Sequence, residues 1–232
     1  MIFGGIQKNS FIDYPGRISC VLFVSGCNFE CPYCHNPDLV TCGPMDSPTL
    51  NREEVFEFLE RRKGFLDGVV ISGGEPTLQK DIVGLCRKIK EMGYPVKLDT
   101  NGSRPQIVKQ LVEGDLVDYI AMDIKTDLFH YSPVIKKGID PDSLFSSIRT
   151  IMNSGLPYEF RTTCVKPIVD AGIVENIAKT IKGATLYALQ RFINNGVLHP
   201  EFFKEGNATC DDDELMTLKS IAKPWVKQCI VR

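Results

Sequence analysis

The sequence predicts an α/β fold, a partial, TIM-like (βα)6 barrel built on a parallel sheet. Short β-rich runs alternate with amphipathic helical stretches through about six units, the order that builds parallel sheets. Most of the β runs are continuously apolar, as strands covered on both faces are. The 232 residues fall short of the ~250 typical of a full eightfold barrel.

The elements follow in order. An N-terminal hairpin or extension over 1–17 precedes the first strand, ISCVLFVSG at 18–26. A helix is expected at 51–63, opened by Asn51 and Glu54 in capping-box spacing. GVVISGGEP at 68–76 is the second strand and its exit loop. The next helix shows Ile82, Leu85, Cys86, Ile89 and Met92 on one face. VKLDTNG at 96–102 is the third strand, and Pro105 starts the helix after it. DYIAMDIK at 118–125 leads to a helix at 142–153, and YEFRTTCVK at 158–166 to one at 173–181. TLYALQRF at 185–192 ends the core. The DDDE run at 211–214 caps a helix over 212–222, and a last strand is expected at 226–231. No repeat or linker interrupts the chain, so 1–232 reads as one domain with a core at 18–192 and a terminal helix and strand in 193–232.

A net charge of −2 gives no electrostatic reason to expect nucleic acid or an anionic membrane as partner. No run approaches the ~20 apolar residues of a membrane span, and the first residues lack the pattern of a signal peptide. A cytoplasmic location is the expectation. Thiols stay reduced there, so nine cysteines argue for metal binding or reactivity over disulfides.

The distinctive polar residues sit at the C-terminal ends of the predicted strands, where parallel α/β folds bind ligands. Cys27 follows the first, Gly73-Gly74-Glu75 the second and Asp99-Thr100-Asn101-Gly102 the third. Asp123 and Lys125 end the fourth, Arg161 and Thr163 lie late in the fifth, and Gln190-Arg191 end the sixth.

CNFECPYCHN at 27–36 spaces Cys27, Cys31 and Cys34 as C-x3-C-x2-C. Thiolates at this density bind zinc or an iron–sulfur cluster. A zinc knuckle would need Cys42 or His35 as fourth ligand. Three thiolates suit a [4Fe–4S] cluster that keeps one iron open for a small molecule. The pattern, with Tyr33 before its last cysteine, resembles the radical S-adenosylmethionine superfamily, in which the cofactor's amino and carboxylate groups fill the open iron. SGGEP at 72–76 resembles the superfamily's Gly-Gly-Glu motif, whose glycines let backbone approach a ligand.

The flanks narrow the resemblance. Asp13-Tyr14-Pro15-Gly16-Arg17 before the first strand and the Gly26–Pro37 run with its Cys-His-Asn-Pro resemble activating enzymes of glycyl radical proteins. The similarity extends over nearly the whole chain and is greatest to the short branch that activates anaerobic ribonucleoside-triphosphate reductase. Pyruvate formate-lyase activators are similar as well. The resemblance implies a reductive cleavage of S-adenosylmethionine at the cluster and abstraction of a glycine α-hydrogen from a partner glycyl radical enzyme, with flavodoxin or ferredoxin as electron donor. The small-molecule and peptide-modifying branches would share the cysteine and glycine motifs but not these flanks.

The resemblance also implies a site. Cys27, Cys31 and Cys34 would hold the cluster; Tyr33 and the backbone at His35 would lie along the adenine. Gly73, Gly74 and Glu75 would meet the methionyl amino group. Asp99, Thr100 and Asp123 match a monovalent-cation site beside the methionyl carboxylate, and Lys125 the lysine that meets that carboxylate. Arg161 and Thr163 match contacts to the methionyl end and the ribose. Two departures stand out. Residues 35–50 hold only Cys42, too few for an auxiliary cluster, and Phe192 falls where formate-lyase activators carry a histidine, with Gln190 or Arg191 as substitutes. His130 and His199 read as surface or loop residues. Cys20, Cys86, Cys164, Cys210 and Cys229 read as buried small hydrophobes, and Met122 and Trp225 as core.

Overall fold

Side chains alternate between two faces along a strand, and here each face meets a different interior. The structure is a computed structural model that describes residues 3–40, 50–132, 134–135, 138–203 and 207–232. Cys42 lies outside them. The strands are β1 (Phe3–Ser10), β2 (Ser19–Val24), β3 (Gly68–Gly73), β4 (Val96–Thr100), β5 (Tyr119–Asp123), β6 (Tyr158–Cys164), β7 (Tyr187–Arg191) and β8 (Cys229–Val231). They form one sheet in chain order. β1 pairs antiparallel with β2, and every later pair is parallel. The helices are α1 (Pro37–Val40), α2 (Arg52–Arg61), α3 (Ile82–Glu91), α4 (Pro105–Glu113), α5 (Pro141–Met152), α6 (Ala171–Thr180) and α7 (Asp212–Ala222).

The expected elements form close to their expected limits, and the caps explain where the helices begin. Asn51 accepts from the Glu54 amide while Glu54 accepts from the Asn51 amide, at 2.9 and 2.8 Å. The same reciprocal pair, Asp211 with Glu214, opens α7. Pro105 begins α4. The terminal strand is shorter than expected, from Cys229. The N-terminal hairpin or extension is a hairpin: its edge strand β1 pairs with β2 although its glycine-rich, polar sequence (FGGIQKNS) has low strand propensity.

One face of the strands, with Leu22, Ile71, Leu98, Met122, Phe160 and Leu189, packs in the main core with the helices. The other face lines the barrel interior. Val21, Val70, Tyr119 and Ala121 cluster there with Tyr14. The Asp13–Arg17 segment therefore helps to close the barrel, since the Tyr14 ring is buried, 6.0 Å from that of Tyr119, at the end away from the strand C-termini. Continuous apolar runs hold for β2 and most of β3, but β4 (VKLDT) and β6 (YEFRTTC) alternate. Their odd-numbered residues carry charge into the interior, which a barrel tolerates when each charge finds a partner. Trp225 is only partly buried, its ring beneath Lys179 and Lys182. Among the described residues, no helix is long and apolar enough to cross a membrane.

Candidate functional site

The C-terminal ends of β2 to β7 surround a cavity of about 300 Å³, at the lower end of the ~300–1,000 Å³ of small-molecule sites. All the sequence-predicted residues border it: Cys27, Cys31, Tyr33, Cys34, His35, Gly73, Gly74, Glu75, Asp99, Thr100, Asp123, Lys125, Arg161 and Thr163.

The cysteine loop leaves β2 and is pinned from several sides. The Cys34 amide turns back on the Cys31 carbonyl at 3.0 Å, and the Leu198 and His199 amides donate to the carbonyls of Cys34 and Pro32, each at 3.0 Å. The Glu30 amide donates to Ile135. Cys31 is buried, and Cys27 and Cys34 are half-buried. Burial pushes the Cys27 thiol up to about 11 and Cys31 up to about 12, with Lys125 pulling both the other way. Iron takes the thiolate, so loading displaces protons from both. The Phe29 amide donates to Cys27 Sγ at 3.4 Å, a contact that suits a sulfur carrying charge. Among the described residues, no group of three or more His, Cys, Asp and Glu closes on one metal ion. Three thiols bordering one cavity fit a cluster whose irons take one thiolate each.

The glycine loop after β3 is strapped to the cysteine loop by backbone. The Gly74 amide donates to Val24 and the Glu75 amide to Gly26, both at 2.8 Å. Gly73 has φ +111°, and a Cβ on Gly74 would lie 2.1 Å from the Gly26 carbonyl oxygen. Only glycine permits this approach. Glu75 does more for the loops than its expected contact with a ligand amine would require. Its Oε1 accepts from the Thr77 amide at 3.0 Å and from the hydroxyls of Thr77 and Thr100 at 2.5 and 2.7 Å, and Oε2 accepts from the Asn101 amide at 2.6 Å. Burial pushes its carboxyl up, and these donors pull it back. Glu75 thus clasps the loops after β3 and β4 together.

A charge network crosses the interior below the cysteines. Asp123 accepts from Arg161 Nε at 2.6 Å and from Lys125 Nζ at 3.0 Å. Asp99 accepts from Lys97, from Arg161 Nη1 at 3.3 Å and from Ser72 at 3.2 Å. Burial opposes ionisation of both carboxyls, yet the neighbouring cations outweigh it and hold them below the usual carboxylate range. The Asp123 carboxylate likewise raises Lys125 and Arg161 against their own burial. Lys125 and Arg161 are therefore fixed interior cations and not surface charges. Thr100 lies on the opposite face of β4 from Asp99. Its hydroxyl is committed to Glu75 and accepts from the Gly102 amide at 3.1 Å, so the Thr100 side chain does not face Asp99 and Asp123.

Phe192 is buried, its centroid 6.3 Å from the Tyr33 ring and 5.8 Å from the His35 ring. The Tyr33 hydroxyl reaches the Lys125 carbonyl at 3.5 Å, and His35 Nε2 lies 2.7 Å from the Ile193 carbonyl oxygen. Gln190 borders the cavity. Arg191 turns away to Asp212 and the Cys210 carbonyl and is no substitute for the missing histidine. Cys20, Cys86, Cys164, Cys210 and Cys229 are buried as expected. His130 and His199 pair locally with Asp127 and Glu201. Sequence reasoning missed Lys97, Ser72 and the Asn28–Asn101 side-chain pair at 3.0 Å. Period-two alternation back from Asp99 is the signal that finds Lys97.

The cavity also suits an amino-acid cofactor: backbone lies at closest approach on the glycine side, and on the other Lys125 and Arg161 stand among Asp99 and Asp123, with Lys97 buried behind Asp99. Comparison with known proteins agrees. The Radical SAM superfamily profile matches residues 21–179. A protein of Methanocaldococcus jannaschii, provisionally named a glycyl-radical enzyme activating enzyme, is 37% identical over 100% of this chain and 95% of its own length. The pyruvate formate-lyase-activating enzyme of Clostridium pasteurianum is 31% identical over 75% of this chain and 72% of its own. Among solved structures, Streptococcus suis SuiB bound to its precursor peptide SuiA superposes with TM-score 0.67 at 13% identity, covering 91% of this chain and 48% of that one. Methylornithine synthase does so with TM-score 0.65 at 15% identity, covering 91% and 63%. These two likenesses show the partial-barrel fold, and the chain spans about half the length of SuiB. With the cysteine and glycine loops joined at the mouth of that barrel, the chain belongs to the radical SAM superfamily and, within it, to the glycyl-radical enzyme activating enzymes, which use a [4Fe–4S] cluster and S-adenosylmethionine.

Proposed function

We propose that this enzyme abstracts the α-hydrogen of a backbone glycine in an anaerobic ribonucleoside-triphosphate reductase, with a flavodoxin or ferredoxin as electron source in the cytoplasm. The observation that carries the reading is the 37% identity across the whole chain to a protein named for glycyl-radical activation. The 35–50 segment holds only Cys42 beyond the cluster motif, too few cysteines for an auxiliary cluster.

When bound, the cluster and S-adenosylmethionine would supply a one-electron reductive cleavage of the sulfonium and an acceptor for the glycine hydrogen atom. The chain's own residues hold and shield. Cys27, Cys31 and Cys34 would ligate iron, and the Gly73–Gly74 backbone would meet the methionyl ammonium. Lys125 and Arg161 would face the methionyl carboxylate, Tyr33 and His35 would flank the adenine, and Thr163 would meet the ribose. Hydrogen-atom transfer requires no side-chain base. Positioning and exclusion of water do the work. Phe129 and Ile193, on loops after β5 and β7, are 85% and 64% exposed and offer a polypeptide apolar contact at the rim.

The test is anaerobic. Protein reconstituted with iron and sulfide, reduced with dithionite and given S-adenosylmethionine should generate an organic radical signal on the reductase. Cys31→Ala should generate none. A signal on pyruvate formate-lyase but not on the reductase would overturn the choice of partner. Cofactor cleavage with no radical on either protein would point to a small-molecule or peptide substrate.

A further inference from the structure

The expected cation site does not look like one. In the structure, each of the four oxygens of Asp99 and Asp123 accepts from a side-chain cation. Asp99 Oδ1 takes Lys97 and Oδ2 takes Arg161 Nη1 at 3.3 Å; Asp123 Oδ1 takes Arg161 Nε at 2.6 Å and Oδ2 takes Lys125 at 3.0 Å. The Thr100 hydroxyl donates to Glu75 and not to this group. Lys97 is the residue that changes the electrostatics. It stands two positions before Asp99, on the interior face of β4, and its side chain is 1% exposed. Its ammonium lies 5.8 Å from the centroid of the Tyr119 ring, where the π face adds a favourable contact. So deep an ammonium requires a carboxylate partner, and Asp99 is the one in reach.

We propose that Lys97 is a built-in cation: its ammonium stands in for a monovalent metal ion, so that cofactor engagement by this chain is independent of sodium and potassium. The inference rests on the reading of the cavity as the S-adenosylmethionine site. Charge balance supports it. Lys97, Lys125 and Arg161 face Asp99 and Asp123, and the adjacent Glu159 is neutralised by Arg232 at 3.1 and 2.7 Å. The Glu75 carboxylate, which also borders the cavity, is held separately by hydroxyl and amide donors. Within the network of Lys97, Lys125, Arg161, Asp99 and Asp123 one positive charge remains. A ligand carboxylate cancels it, whereas a metal ion would double it and have to displace a bonded donor. A tethered ammonium also has no binding equilibrium to satisfy, so the site is charged correctly in any salt.

The experiment measures S-adenosylmethionine binding calorimetrically to cluster-loaded protein. Tetramethylammonium, sodium and potassium chloride are compared at equal ionic strength. The wild type should bind with the same affinity within about twofold in all three. Lys97→Met keeps the stem and removes the ammonium. It should bind about tenfold or more weakly in tetramethylammonium and recover in potassium, while Lys97→Arg should behave like the wild type. Cofactor-free protein gives a second readout. Potassium should raise the melting temperature of Lys97→Met relative to tetramethylammonium, as an ion that binds only the native state does, and leave the wild type unchanged. A wild type whose affinity rises tenfold with potassium overturns the inference without touching the site assignment, and it does so even if Lys97→Met fails to fold. Lys97→Met protein that folds and binds equally in every salt overturns it too. A wild type that binds no cofactor in any salt removes the reading of the cavity itself, and the inference falls with it.

Discussion

Arg161→Met is expected to lower the melting temperature by roughly 6–20 °C at neutral pH and to abolish S-adenosylmethionine binding. Arg161 bonds both Asp123 and Asp99 from a side chain that is 13% exposed. Methionine fills the space but leaves two interior carboxylates short of their shared partner. Removing one member of a buried ion pair costs about 3–5 kcal/mol, and each kcal/mol moves a chain of this size by ~2–4 °C. The effect has a definite pH dependence. In the wild type both carboxyls are held below their unfolded value, so the network stabilises the fold above that value, near ~4. That stability is lost only as pH falls through the lower folded values. In the variant, burial of the same carboxyls is poorly compensated and their folded values rise, so the variant suffers most at neutral pH. The gap in melting temperature should narrow as pH falls toward ~4. Paired calorimetric melts across that range check this. A constant gap would mean that Arg161 acts by packing alone.

Gly74→Ala should strip the enzyme of iron while leaving all three cysteines in place. The added methyl would stand 2.1 Å from the Gly26 carbonyl oxygen and 2.6 Å from its carbon. Both are backbone atoms, so no rotamer change relieves the clash. One of the two loops has to move, which breaks the 2.8 Å bonds from the Gly74 and Glu75 amides to Val24 and Gly26. Overpacking of this kind costs about 1–3 kcal/mol, and the displaced loop carries Cys27. Gly5→Ala is the control, because a Cβ there meets nothing within 4 Å. Iron per polypeptide after anaerobic reconstitution should fall sharply in the first variant and stay at the wild-type value in the second. Full iron uptake by Gly74→Ala would show that the two loops are independent.

Much of the site was legible because its chemistry is concentrated in short runs. CNFECPYCHN, SGGEP and DTNG each sit at the exit of a strand, and a parallel sheet brings such exits together. What escaped was set by pairing across the barrel. Glu75 reads as a ligand-facing acid in a motif, but its partners, Thr77, Thr100 and Asn101, are chosen by the folded loops. Thr100 neighbours Asp99 in the sequence and faces the other way in the strand. Lys97 and Glu159 were visible only to a reading that followed the alternation of β4 and β6 and asked where their inward charges go. The N-terminal hairpin was expected without strand limits, because an edge strand needs only one paired side and tolerates FGGIQKNS.

The central claim is that the hydrogen atom comes from a backbone glycine of a partner protein. The direct measurement uses a reductase whose glycines carry deuterium at the α-carbon. It is mixed anaerobically with the reduced, cluster-loaded enzyme and unlabelled S-adenosylmethionine, and the released 5′-deoxyadenosine is examined by mass spectrometry. The proposed chemistry predicts that the product carries the deuterium, in proportion to the glycyl radical formed. Product that carries only protium, released at the same rate with or without the reductase, would contradict it.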